Sequence, residues 1–365
     1  MKKYIQIVVG IAISLAAIAF PFIVGWVKFA DLWAAVVATN WWIAAVATVV
    51  IVASFYWRVF RWRILLAPVK DIPSHRLFGP MMVGFGFNNI LPMRAGEFAR
   101  PLALMKQEKV SYAAAFSTQI VERLTDMIVL LALLVAMPLY ITLDPSISME
   151  FDVGGTKVAL SVAWIDSMLP KFSVFALVLL CGIGSFLVPP VKKLYIRAVR
   201  AVPFFAPAMQ EKIVAVIESF TKGFDSLKSP RAVAMVSLHS VIVWLALAFG
   251  FQVFSWGFPG ASMTFQQAVA FLLVTSIAVS LPSSPGFWGV YEFGGMFALV
   301  LMGVVTNDAA GMSAAFAFTL VVHFLQWAPT TVFGLMAAAK LSISAGDAEA
   351  LAEQSPKAAA EAPSP

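Results

Sequence analysis

The sequence predicts an all-α polytopic membrane protein, a bundle of about six to eight transmembrane helices. Of its 365 residues, 61% are hydrophobic and 12% are charged, and the mean hydropathy is +0.89. Soluble globular chains carry charge on about a quarter of their residues, so the solvent here is lipid. The apolar residues form continuous runs of about 20 residues, as a membrane-spanning helix requires, rather than the short alternating segments of a membrane β-barrel.

Six strong apolar runs are predicted to span the membrane, and two weaker segments are interrupted by Gly and Pro. The strong runs are Ile5–Val27, Trp41–Trp57, Met127–Leu143, Phe172–Val191, Ala232–Phe254 and Met312–Ala339. The interrupted segments cover residues 77–91 and 265–305. The first is predicted to be re-entrant, and the second is either re-entrant or a hairpin of two full spans.

Loop charges orient the predicted spans. The loop 58–76 carries five Lys or Arg residues and one Asp, and residues 192–231 are likewise strongly basic. Because cytoplasmic loops are rich in Lys and Arg, both loops and both termini are predicted to lie on the cytoplasmic side of an inner membrane. The more acidic loop 144–171 is then outside. With this topology, the two interrupted segments enter the membrane from opposite sides.

Two regions of different character are predicted. Residues 1–340 form the integral membrane domain, which includes the basic segment 192–231. That segment is interpreted either as helices lying on the anionic inner surface or as an ordinary basic loop. No nucleic-acid binding is expected, because the basic residues adjoin apolar spans. Residues 341–365 are rich in Ala, Glu, Ser and Pro, a composition that predicts a disordered cytoplasmic tail.

The break after the first interrupted segment concentrates polar residues. The candidate substrate-binding residues there are Asn88, Asn89, Pro92, Arg94, Gly96, Glu97 and Arg100. Pro92 removes a backbone donor and Gly96 permits unusual dihedral angles, so a helix is predicted to end here. The guanidinium groups of Arg94 and Arg100 suit phosphate oxygens. The alternative is that both arginines sit at the interface and pair with Glu97 for structural reasons.

A second candidate group, Glu122, Arg123 and Asp126, opens the next strong span on one helix face. These residues are predicted either to reach the arginines of the first break across a cavity or to form a solvated first turn. The second break adds the candidates Pro282, Pro285, Gly286, Gly289 and Glu292. Both breaks share a Leu-Pro step, then Gly, then Glu. Paired breaks of this kind are typical of inverted repeats with a site near the membrane midplane.

No pattern of residues indicates a catalytic centre, a metal or a cofactor. The sequence has no Walker motif, nucleophile elbow or dinucleotide fingerprint, and its histidines and carboxylates lack metal-ligand spacing. His323 is interpreted as a residue that hydrogen-bonds between helices or, alternatively, as a proton carrier. Transport driven by ATP hydrolysis in this chain is therefore not expected.

Three blocks of the sequence resemble the lysylphosphatidylglycerol synthase transmembrane region, a family also described as flippase-like integral membrane proteins. Residues 88–100 match the pattern Asn-x-x-Leu-Pro-x-Arg-x-Gly-Glu-x-x-Arg, and residues 122–126 match its Glu-Arg pair with a following Asp. Residues 282–292 match a Pro-x-x-Pro-Gly, Gly, Glu pattern. The chain departs from the family at Phe287, where a second Gly is expected, and at Tyr291, where relatives carry something smaller or basic.

The resemblance implies a helical bundle with re-entrant segments that moves phospholipids or polyprenyl-linked lipids between leaflets. The expected function is a lipid flippase or scramblase whose partners are lipids with an anionic phosphate headgroup. Larger relatives carry an aminoacyl-transferase domain, which is expected to be absent here together with its activity. Two alternatives stay open: an ion-coupled transporter of a small anionic solute, and an intramembrane transferase with Glu97 or Glu292 as general base.

Overall fold

The fold is an all-α membrane bundle, as predicted. The computed structural model describes residues 2–141, 148–153, 156–161, 189–201, 229–281 and 283–350, with individual residues between 167 and 185 and between 209 and 214. Its helices are α1 (Lys2–Ile23), α2 (Phe29–Val37), α3 (Trp41–Leu66), α4 (Ser74–Ile90), α5 (Gly96–Glu108), α6 (Tyr112–Ala136), α7 (Pro189–Ala201), α8 (Pro230–Gly257), α9 (Phe265–Ala278), α10 (Val290–Leu301) and α11 (Ala309–Lys340). Strands β1 (Ser148–Val153) and β2 (Thr156–Ser161) form an antiparallel hairpin within the predicted outer loop.

Polar residues set the beginnings of the long helices. The side chains of Asn40, Ser111, Ser229 and Asp308 accept hydrogen bonds from first-turn amides of α3, α6, α8 and α11, respectively. Of the helices in the described ranges, α3, α8 and α11 are long and apolar enough to cross a bilayer. The predicted span 172–191 lies largely outside the described residues.

The core of the bundle is built on α3, α8 and α11. Helices α3 and α8 run antiparallel, because the amide of Asn40 at the start of α3 donates to the carbonyl of Gly257 at the end of α8 (2.7 Å). The rings of Phe254 and Phe271 pack against Phe318 of α11, with centroids 4.9 and 5.6 Å away. Aromatic packing of this kind fixes the helices against one another without polar contacts.

Helix α3 is longer than the sequence analysis predicted. It continues to Leu66 instead of ending at Trp57, so Arg58 and Arg61 lie in a helix and not in a cytoplasmic loop. Both arginines are buried. The prediction was wrong because it ended the span at the first charge, whereas no helix-breaking residue occurs until Pro68. The spacing of the two arginines places them on one inward face.

The two interrupted segments are helical hairpins, α4–α5 and α9–α10, in which the paired helices pack on each other. The break of the first is a 3₁₀ turn at Pro92–Arg94, and that of the second is a 3₁₀ turn at Pro285–Phe287. With 13 residues in α5 and 12 in α10, these helices are about 20 Å long, less than the roughly 30 Å of a hydrocarbon core. The re-entrant arrangement of the two segments stays a prediction.

The two breaks correspond in backbone geometry. In each, a proline opens the turn, its third residue has a positive φ (Arg94, 54°; Phe287, 64°), and a glycine follows four residues after the proline. The match therefore starts at Pro285, not at the Leu-Pro step that the sequence comparison used; Pro282 lies outside the described residues. The positive φ of Phe287 explains why the family resemblance calls for glycine there.

The predicted disordered tail is ordered in its first part. Residues 345–350 are helical, and Ile343 and Ala348 are buried against α4 and α5. Lys106 of α5 donates to the carbonyl of Ser342 (2.8 Å) and lies 3.5 Å from the Asp347 carboxylate. The composition of the whole tail concealed these two apolar contacts. Residues 351–365 lie outside the described part of the chain.

Gly96→Ala is expected to loosen the first hairpin, because its Cβ would lie 2.0 Å from the carbonyl oxygen of Gly84. Gly79→Ala on α4 is the matched control, since the nearest atom would be 3.9 Å away. We expect the midpoint of thermal unfolding in detergent to fall by at least about 4 °C for the first variant and to stay or rise for the second. Equal midpoints would contradict the close packing of α4 on α5.

Candidate functional site

A network of buried charged side chains lies where α3, α5, α6 and α8 meet. The guanidinium of Arg61 on α3 is fully buried and binds both carboxylate oxygens of Asp126 on α6, at 2.5 and 3.2 Å. It also lies 3.2 Å from Glu122 on α6 and donates to the hydroxyl of Ser240 on α8 at 2.9 Å. Paired forks of this kind compensate charges that would otherwise be very costly in the interior. One arginine thus joins three helices.

Arg100 of α5 extends the network. Its guanidinium donates to both oxygens of Glu122, at 3.1 and 2.7 Å, and lies 3.8 Å from the ring centroid of Trp62. Gly84 leaves room for this position, because a Cβ there would lie 2.9 Å from the Cβ of Arg100. The residue therefore neutralises Glu122, and its geometry does not favour the predicted role as a phosphate ligand.

Arg58 and Arg123 complete the network and keep donors free at its edge. Arg58 lies 3.6 Å from Asp126, and Arg123 lies 3.7 Å from Glu97 and 3.9 Å from Asp126, all longer than hydrogen bonds. The Nε atoms of all four arginines in the network are buried without a hydrogen-bond acceptor among the described residues, so the long contacts to carboxylates are what set Arg58 and Arg123 apart. The network as a whole contains four arginines and three carboxylates within ion-pair distance of one another: Arg58, Arg61, Arg100 and Arg123 with Glu97, Glu122 and Asp126. Four cations against three carboxylates leave one positive charge.

A cavity of about 210 Å³ opens beside this network, between the two hairpins and the long helices. Arg58, Arg123 and Asn89 lie on its wall, and so do His323 and Tyr291. Aromatic side chains make up much of the remaining surface: Phe85, Trp244, Phe287 and Trp327. In the described ranges no group of three or more His, Cys, Asp or Glu residues is placed to hold a metal ion. The chemistry of the cavity is that of arginine donors, neutral polar groups and rings.

Glu292 and His323 form a second buried polar pair at the cavity. Glu292 is the third residue of α10 and has no exposed surface; one oxygen accepts from the amide of Gly289 (2.6 Å) and the other lies 2.5 Å from Nδ1 of His323. The imidazole stacks on the ring of Tyr291, with centroids 4.2 Å apart. Glu292 therefore caps the first turn of α10, and the interhelical hydrogen bond predicted for His323 is made to Glu292.

The tips of the two hairpins touch. Arg94 donates to the carbonyl of Val279 at the end of α9 (2.7 Å), and its guanidinium lies 5.4 Å from the ring centroid of Phe287. A cation at a helix C-terminus is favourable, so Arg94 links the first break to the second. Asn89 donates to Thr330 and Thr331 of α11, both at 2.9 Å. These contacts hold both tips beside the cavity.

The other predicted site residues shape the breaks. Gly96 lets α5 pass close to α4, and Gly289 at φ 89° lies against the backbone of Ser14 on α1. Gly286 at φ 74° lies where a Cβ would meet the indole of Trp327 at 2.8 Å. The Oδ1 of Asn88 is buried without a partner among the described residues. Pro92 and Pro285 open the two turns, as described above.

Several site residues were missed by the sequence analysis. Arg58 and Arg61 were assigned to a loop, although their spacing and the absence of a helix breaker were visible in the sequence. Trp244 donates to Asp126 at 3.0 Å, and Ser240 accepts from Arg61. No local signal distinguishes these two residues of α8 from other residues of an apolar span, because their partners are more than a hundred residues away.

These features define a polytopic membrane protein with a cationic cavity between two broken helical hairpins. The family described as Lysylphosphatidylglycerol synthase TM region matches residues 7–334. The chain belongs to this family, as the motif resemblance predicted, and membership is consistent with a lipid-related function in a membrane. A search among curated proteins and a search among solved structures each found no match.

Glu122→Ala is expected to destabilise the fold by about 3–5 kcal/mol, because Arg61 and Arg100 would be left without this buried partner. Asp71→Ala, which breaks the exposed pair with Arg63, is expected to cost less than about 1 kcal/mol. Equilibrium unfolding in mixed SDS–detergent micelles measures both. Similar decreases in the free energy of unfolding for the two variants would show that the buried network does not stabilise the fold more than an exposed ion pair does.

Proposed function

We propose that this protein moves lipids with an anionic phosphate headgroup between the leaflets of a cytoplasmic membrane, as a flippase or scramblase. The phosphate enters the cavity between the hairpins while the acyl chains stay in the bilayer. Both termini lie in the cytoplasm in this proposal, as the loop charges predict. The protein acts as a transporter and not as an enzyme.

The observation that carries the proposal is the pair of free arginine donors at the cavity. Arg58 and Arg123 line it, and to carboxylates in the described part of the chain they make only long ion-pair contacts, of 3.6 Å for Arg58 and 3.7 and 3.9 Å for Arg123. An arginine held this loosely beside a cavity can bind phosphate oxygens strongly. The excess positive charge of the network adds to this attraction. An anion in the cavity would pair with both guanidinium groups.

The size of the cavity suits a headgroup, and its surroundings favour a lipid over a soluble anion. About 210 Å³ is smaller than the roughly 300–1,000 Å³ of pockets that enclose drug-sized ligands, so a headgroup fits but acyl chains do not. The lining residues Val279 and Trp327 are partly exposed. Next to them, Ile277, Leu281 and Phe324 are apolar and more than half exposed. In a membrane protein such a surface faces lipid, where chains can remain.

The roles of the remaining charged residues follow from their contacts. Arg61, Glu122, Asp126 and Arg100 hold one another and fix the helices, so they position Arg58 and Arg123 at the cavity. Glu97 lies 3.7 Å from Arg123 and restrains it loosely enough for an anion to compete. Arg94 keeps the two tips together at the edge of the cavity.

Arg123→Gln is expected to slow leaflet exchange at least about tenfold, because one free phosphate donor and its charge are lost. The measurement uses proteoliposomes that contain acyl-labelled phosphatidylglycerol, with a membrane-impermeant reductant that quenches the outer leaflet. The side chain of Arg123 is 39% exposed, so the variant is expected to fold. Arg63→Gln is the matched control, since Arg63 is exposed and pairs with Asp71, away from the cavity.

The same vesicles separate lipid transport from its alternative. Wild-type protein that exchanges no lipid but takes up labelled inorganic phosphate would replace the proposal with small-anion transport. Equal exchange rates for Arg123→Gln, Arg63→Gln and the wild type would contradict the proposal that the headgroup binds in this cavity. An increase in labelled lipid products with candidate donor lipids would instead indicate a transferase.

A further inference from the structure

We infer that the cavity selects anionic headgroups whose remaining groups are uncharged and hydroxylated, such as glycerol or a sugar, and disfavours headgroups that carry an amine. This inference rests on the proposed function and narrows its substrate class. It follows from the charges, acceptors and ring faces that the cavity presents.

The charge on the cavity wall disfavours an amine. No aspartate or glutamate lines the cavity in the part of the chain that the structure describes, whereas Arg58 and Arg123 do. Asp126 lies behind Arg58 and already binds Arg61, and both oxygens of Glu292 are occupied by Gly289 and His323. An ammonium group entering beside two guanidinium groups therefore finds no carboxylate to compensate its charge.

Aromatic rings bind ammonium groups through their faces. The guanidinium of Arg58 already lies 4.9 Å from the ring centroid of Trp244 and 5.8 Å from that of Phe85. Arg94 lies over Phe287 in the same way, and the imidazole of His323 stacks on Tyr291. The protein's own cations and imidazole thus take up ring faces that an amine headgroup would need.

Neutral hydrogen-bond acceptors at the cavity suit the hydroxyl groups of a headgroup. The hydroxyl group of Ser54 donates to a carbonyl of its own helix (2.6 Å), which leaves its oxygen as an acceptor at the cavity. Gln326 also lines the cavity with an uncharged amide. Hydroxyl donors of a glycerol or sugar satisfy such acceptors without adding charge. Arginine donors for phosphate and neutral acceptors for hydroxyls lie in one cavity.

Gln326→Glu tests the inference directly, because it places a carboxylate in the cavity with almost no change in shape. Proteoliposomes of phosphatidylcholine carry either acyl-labelled phosphatidylglycerol or acyl-labelled phosphatidylethanolamine, and leaflet exchange is measured for each. For the wild type we expect phosphatidylglycerol to exchange at least about tenfold faster. In Gln326→Glu we expect this ratio to fall at least about tenfold, because the new carboxylate attracts the amine and repels the phosphate.

Two further variants control for the added charge itself and for a failure of Gln326→Glu to fold. Gln267→Glu adds the same charge outside the cavity, at the capping box of α9, where it keeps the cap and loses only the long hydrogen bond to Met302 (3.4 Å), and the ratio is expected to stay unchanged. Ser276→Asp places a carboxylate on another wall of the cavity and replaces Gln326→Glu if that variant fails to fold.

The outcomes separate this inference from the proposed function. Exchange of both lipids at equal rates by the wild type would overturn the selectivity and leave lipid transport standing. An unchanged ratio in folded Gln326→Glu or Ser276→Asp would overturn the assignment of selectivity to this cavity. Exchange of neither lipid, in folded protein, would reject the proposed function and this inference with it.

Discussion

The ion pair between Arg61 and Asp126 is the constraint on which the rest of the structure depends. A fully buried guanidinium is tolerable only with close acidic partners, so α3 and α6 must meet at a fixed depth and rotation. Glu122 contacts Arg61 and binds Arg100, which brings α5 and its hairpin to the same point. Because Arg58 lies one helical turn before Arg61, the pairing of Arg61 with Asp126 also fixes the position of the Arg58 guanidinium, and so of its positive charge, at the cavity.

The two hairpin tips are stabilised by contacts with each other and with α11. Where non-helical backbone lies in the interior of a membrane protein, it must be satisfied by other protein groups or by a wet cavity. Arg94 satisfies the carbonyl of Val279 across the two tips, and Asn89 binds hydroxyls of α11. The breaks are therefore supported by each other and by the long helices, which leaves the cavity between them open for a ligand.

Motif residues were easier to predict from sequence than their partners. The first break begins at Pro92 as predicted, because proline acts through its own backbone. Gly96 was predicted to take unusual dihedral angles but is the first residue of α5, and its lack of a side chain is instead required by the close approach of α4. The group Glu122, Arg123 and Asp126 was placed on one helix face, but the sequence left open whether it formed a network or a solvated turn. Arg100 is paired with Glu122, which is one of the arrangements that the sequence left open for that group, because which way an arginine turns depends on the helices around it.

The sequence by itself determined the lipid solvent, the all-α class and the positions of the breaks, because hydropathy, proline and glycine act on the chain locally. Only the tertiary structure decided which charges are buried together and which remain free at the cavity. Glu292 and His323 are 31 residues apart, and Arg61 and Asp126 are 65 apart. Their pairing depends on how helices rotate and cross, which is set by the packing of the whole bundle and not by any local pattern.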